Sequence, residues 1–88
     1  MKLTFTKKFN KQVAKIASKE LAEEIIAVIT EAENAAIISE ISNIKKLSGF
    51  KLYYRIRIGD YRIGLFLNGD TLEFAAFDHR KDTYKHFP

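Results

Sequence analysis

The sequence predicts an α+β fold: an N-terminal strand, then a helical hairpin packed on a small twisted antiparallel sheet, in the order β-α-α-β-β-β. Three observations point to it. Apolar residues recur at helical spacing from Phe9 to Ala32, the pattern changes to alternation from Lys51 onward, and two turn signals, Gly59-Asp60 and Asn68-Gly69, interrupt the alternating part. Eighty-eight residues with 47% apolar content make one domain with one core, read as spanning residues 1–88. There is no cysteine, so that core has to hold the fold without a disulfide or a thiolate metal site.

Leu3 to Phe5 is a short β-compatible run, and Thr6 after it is a helix N-cap residue. Over residues 7–17, Phe9, Val13 and Ile16 form an apolar stripe while Lys7, Lys8, Lys11 and Lys15 take the other side. Ser18 then offers a second cap, with Glu20, Glu23 and Glu24 in the first turns, where carboxylates suit the helix dipole. Leu21, Ile25, Val28, Ile29 and Ala32 are the stripe of that second helix, which should end near Asn34. Residues 35–49 are apolar without a clean period and read as a packed connection with a short turn of helix.

Three strands follow, at about 51–58, 61–67 and 70–77. A two-residue loop at Gly59-Asp60 sets Ile58 opposite Tyr61, and side-chain alternation fixes the rest. Leu52, Tyr54, Ile56 and Ile58 then share a face with Tyr61, Ile63, Leu65 and Leu67, and a loop at Asn68-Gly69 adds Leu72, Phe74 and Ala76. The helical hairpin should cover that face. The other face carries Tyr53, Arg55 and Arg57 across from Phe66, Gly64 and Arg62, which places Arg57 directly opposite Arg62. Like charges so placed repel. Glu73, beside Gly64 in this register, is the acid on that face that could pair with Arg55 or Arg62.

Charge is divided as unevenly as pattern. Residues 1–44 hold six Lys against six acids, whereas residues 45–88 hold nine Lys and Arg against five, which accounts for the whole net charge of +4. All four arginines lie in the second half. The chain beyond the third strand brings His79, Arg80, Lys81 and Tyr84 toward the Arg57 and Arg62 end, Arg80 and Tyr84 being four residues apart. Guanidinium forks bind phosphate in a bidentate manner and stay charged through a reaction, so they stabilise a pentavalent phosphate but do not accept protons. His79 and Tyr84 are the titratable candidates for a general base or acid. Read singly, His79 is a strand-end hydrogen-bonding residue and Tyr84 an aromatic cap over the core. Tyr53 and Phe66 could stack a base or be buried by a protein partner. The acids are scattered, with no metal-ligand spacing, and no cofactor motif is present. Neither a signal peptide nor a membrane span is expected, and the chain reads as cytoplasmic.

The run Leu47-Ser48-Gly49, then Tyr54-Arg55-Ile56-Arg57-Ile58-Gly59-Asp60-Tyr61-Arg62, then His79-Arg80 followed by Tyr84, resembles the RelE/ParE superfamily of bacterial and archaeal toxins. The order of elements agrees with that family over nearly the whole chain. The resemblance implies a type II toxin–antitoxin component, neutralised by a cognate antitoxin. RelE-like members cleave mRNA in the ribosomal A site without metal, using the substrate 2′-hydroxyl as nucleophile. By position, Arg62 and Arg80 correspond to phosphate-stabilising arginines, Tyr84 to the C-terminal catalytic tyrosine and His79 to a position where some relatives carry another basic residue. Arg55 and Arg57 match the basic strand pair, with Lys51, Lys81 and Tyr53 as further RNA-binding candidates. ParE-like members instead poison DNA gyrase without nucleolytic residues, which is the alternative function and partner.

Overall fold

The computed structural model describes residues 1–82. Its elements are β1 (Lys2–Phe5), α1 (Lys7–Ala14), α2 (Lys19–Asn34), a 3₁₀ turn (Ile38–Glu40), β2 (Ile44–Lys46), β3 (Tyr53–Ile58), β4 (Tyr61–Asn68) and β5 (Thr71–His79). The strands form one sheet in the order β1-β5-β4-β3-β2. The expected α+β class holds, with two corrections. The sheet is mixed, because the helical hairpin carries the chain across one face and so leaves β1 parallel to β5. The stretch read as a packed connection contributes an edge strand, β2, antiparallel to β3.

Both helix starts form as their cap residues dictate. Thr6 Oγ1 accepts from Phe9 N at 3.0 Å and Ser18 Oγ from Leu21 N at 3.2 Å, each satisfying one of the backbone donors that a helix start leaves over. The first helix is shorter than its apolar period suggested. It stops at Ala14, where Lys15 N and Ile16 N bond to the carbonyls of Gln12 and Val13 in a tightened last turn. This turn carries Ile16 against the core and frees Ser18 to cap α2.

The β3–β4 register is the expected one, from Ile58↔Tyr61 to Tyr53↔Phe66. The next hairpin is one residue off. Its loop is Gly69-Asp70, closed by Asn68↔Thr71, so that glycine takes the left-handed position at the head of both turns (φ 56° at Gly59, 62° at Gly69). Glu73 therefore lies opposite Phe66, not beside Gly64. Further along, a bulge breaks the register: Leu65 faces Phe74 but Gly64 faces Ala76. The extra residue reconciles Phe74 and Phe77, which are three apart and yet both buried, at 0% and 4% exposure.

Phe9, Ile25 and Ala32 of the helices close over Ile56, Ile58, Ile63, Leu65, Leu72, Phe74 and Phe77 of the sheet. Phe9 meets Phe74 edge-on at 5.5 Å, and Phe5 packs beside both rings. Two residues expected on this face are not on it. Ala76 is buried across from Gly64 on the opposite face, and Leu52, with φ 68°, lies outside the strand and 46% exposed. Beyond the end of β1, side chains cover the edge of β5. Thr6 Oγ1 donates to Ala75 O, Gln12 Oε1 accepts from Phe77 N at 2.8 Å, and Gln12 Nε2 donates to Asp78 Oδ1. These bonds satisfy and screen an edge that could otherwise pair with another strand.

Candidate functional site

Three arginines gather around the Gly59-Asp60 turn, brought there by three different segments. Arg57, near the end of β3, is exposed and directly opposite Arg62 on β4, as the hairpin register requires. Arg62 Nη1 turns back toward the loop and donates to Tyr61 O at 3.1 Å and Gly59 O at 3.5 Å. Arg80, just past β5, extends the ladder by donating from its backbone N to Asp60 O at 2.7 Å. Its Nε stands 3.9 Å from Asp60 Oδ1, with side chains 59% and 68% exposed. So open an ion pair is worth only a fraction of a kcal/mol, and a phosphate could displace it. No ion pair joins Glu73 to Arg55 or Arg62 among the described residues.

Asp78 is the acid nearest to this cluster in register, opposite Arg62. It is turned to the helix side, where its Oδ1 takes the Gln12 amide, while its Oδ2 is buried without a hydrogen bond. Because Asp78 is held by α1, it forms no ion pair with Arg62.

His79 reaches the same end of the sheet as the arginines but on the other face. The bulge reverses the alternation of β5, so His79 pairs with Tyr61 and meets its ring edge-on at 5.3 Å. Its Nδ1 accepts from Lys81 N at 3.2 Å, an arrangement that leaves the proton of a neutral ring on Nε2. There it lines a cleft of about 500 Å³ with Gln12, Lys15, Tyr61 and Phe77, the last two stacked at 5.1 Å. The expected convergence of His79 with Arg57 and Arg62 is thus a shared end, not a shared face. Lys81 is exposed in the turn that follows, and Tyr84 lies outside the described residues.

The remaining candidates extend the site along the sheet. Arg55 lies between Gly64 on β4 and Lys45 on β2, and Tyr53 sits beside Phe66 at a ring distance of 5.0 Å. Lys51 is exposed in the loop before β3. Two members escaped the sequence reading. Lys45 was hidden because Ile44-Lys45-Lys46 is too short to show alternation, and Phe50 because it precedes the strand; its ring stands 6.1 Å from Tyr53 at 81°.

Such a surface is suited to a polyanion: forked cations at one end, a floor of Gly64 and Ala76, and rings at the other. No protein-family model matches the chain. A curated relative, Toxin RelE3 of Methanocaldococcus jannaschii, is 39% identical over 89 residues and spans the whole of both chains. The RelB-RelE antitoxin-toxin complex from Methanococcus jannaschii matches with a TM-score of 0.82 at 38% identity, over 97% of this chain and 99% of that one. The archaeal RelE-RelB complex from Pyrococcus horikoshii matches at 0.73 and 20% identity over 90% and 93%, a likeness of fold. Full-length identity at this level, together with the shared fold, places the chain in the RelE family of toxins.

Proposed function

We propose that this protein is the toxin of a RelE-type toxin–antitoxin pair and a ribosome-dependent endoribonuclease that cuts mRNA in the A site. The observation that carries the proposal is the gathering of Arg57, Arg62 and Arg80 at one turn in a chain 39% identical to a RelE toxin. In this reading the substrate 2′-hydroxyl attacks the adjacent phosphorus, the bond to the 5′-oxygen breaks, and the products carry a 2′,3′-cyclic phosphate and a 5′-hydroxyl. Arg62 and Arg80 flank the phosphate and stabilise the charge that builds on its oxygens, with Arg57 adding to the local potential. Arg55, Lys51, Lys81 and Tyr53 hold the strand on either side. His79 and Tyr84 are the candidates for proton transfer; the position of His79 against Tyr61 favours Tyr84 for that role. A ribosomal target makes the protein cytoplasmic. The solved RelB-RelE complexes support a cognate antitoxin as its partner.

The test is to add the purified protein to a translating extract and map a reporter mRNA by primer extension. Discrete cuts with 2′,3′-cyclic phosphate ends, present only with ribosomes and lost in Arg80→Ala, are expected. Intact mRNA would overturn the proposal, and trapped cleaved DNA on incubation with gyrase would replace it by the ParE-like function.

A further inference from the structure

The far end of the arginine face is aromatic. Tyr53 and Phe66 are opposite one another in register, and Phe50 stands edge-on to Tyr53, so three rings lie in sequence at 6.1 and 5.0 Å. In a perpendicular pair one ring contributes only its edge, which leaves both of its faces uncovered by the other. Phe50 is 48% exposed, although a ring of that size would be buried if its role were only to fill the core. Single exposed apolar residues are ordinary. This one differs in being the outer member of a ring series set among cations: Lys51 follows it, and Lys45 and Arg55 form the adjoining cross-strand row.

We propose that Phe50, Tyr53 and Phe66 form a base-stacking subsite for single-stranded RNA, separate from the arginine cluster and filled by a neighbouring nucleotide of the same strand. The inference rests on the RNA-cutting function proposed above and adds to it where the strand runs. Tyr53 and Arg57 are four residue steps apart along β3, about 13 Å at ~3.3 Å per step. At about 3.4 Å per stacked step, or more in an extended strand, that is a span of roughly two to four nucleotides. Rings offer a π-face to any base, while the Lys45–Arg55 row lies between them and Arg57 to take the intervening phosphates and Lys51 adds charge at the ring end. The charge around the rings is what selects RNA over an apolar protein segment as occupant.

The test uses the purified protein and a short 2′-O-methyl RNA, which lacks the nucleophile and cannot be cut, carrying the fluorescent base 2-aminopurine at each position in turn. Wild type should quench the probe at one or two adjacent positions. Phe50→Ala should abolish that quenching and weaken binding about tenfold, Phe50→Trp should restore both, and Phe50→Leu should not. Absence of quenching by the wild type would overturn the subsite. So would wild-type affinity in Phe50→Leu, which would mark an apolar contact of the kind a protein segment makes. The same preparations in the translating extract separate the two ideas: quenching without mRNA cutting keeps the subsite and removes the nuclease function, whereas cutting without quenching does the reverse.

Discussion

Beneath the helices, Ile56, Ile63, Leu65, Leu72 and Phe74 are each at most 1% exposed. On the opposite face the same strands carry Arg57 against Arg62, Arg55 over a glycine, and a ring pair at the other end. The first face follows the ordinary demands of burial. The second breaks a rule of sheet stability by setting like charges opposite each other. A fold tolerates such a cost where a ligand of opposite charge repays it, so stability and activity should separate by face.

The largest effect should come from the helix-facing side. Phe74→Ala opens a cavity between Phe5, Phe9 and β5 and should cost about 3–5 kcal/mol in urea denaturation followed by circular dichroism; a loss below 1 kcal/mol would mean the face is not the core it resembles. Next is the guarded edge. Gln12→Met keeps the length of the side chain but strips Phe77 N and Asp78 Oδ1 of their partners, and should cost about 1–3 kcal/mol. Leu52→Gly should act in the opposite direction. Relief of a left-handed φ outweighs the added freedom of the unfolded chain, raising stability by up to about 1 kcal/mol; destabilisation would show that the Leu52 side chain packs.

The smallest effect concerns pH. Glu40 accepts hydrogen bonds from the backbone of Ala36 and Ile37, and these hold its carboxyl below the ordinary value of 4.5. A lowered folded pKa means that the contribution is complete above the ordinary carboxylate range and lost as pH falls through the lowered value. The protection of the Ala36 and Ile37 amides, measured against their intrinsic exchange rates at each pH, should therefore fall selectively on acidification, and Glu40→Gln should weaken that dependence.

Legibility in the sequence followed how local the cause was. Thr6 and Ser18 named their helices because a cap acts over three residues, and Gly59-Asp60 fixed the Arg57–Arg62 pair because a two-residue loop leaves one register. β2 was hidden because its placement depends on distant groups. Glu31 of α2 holds Ser42 through its backbone N at 2.6 Å and its hydroxyl at 3.0 Å, which fixes the chain just before the strand. The bulge had one signal, the three-residue spacing of Phe74 and Phe77, and without it the sequence placed His79 at the arginine end but did not tell which face it takes. Of the candidate site, the arginines were legible from register alone; Phe50 and Lys45 required the loop and the edge strand to be in place.

Whether the two faces really divide stability from activity is tested most directly at Arg62. Arg62→Ala should leave the unfolding free energy from urea denaturation within about 0.5 kcal/mol of wild type, while cleavage of a reporter mRNA in a translating extract falls at least about a hundredfold. Cleavage at the wild-type rate by a folded Arg62→Ala protein would contradict the account.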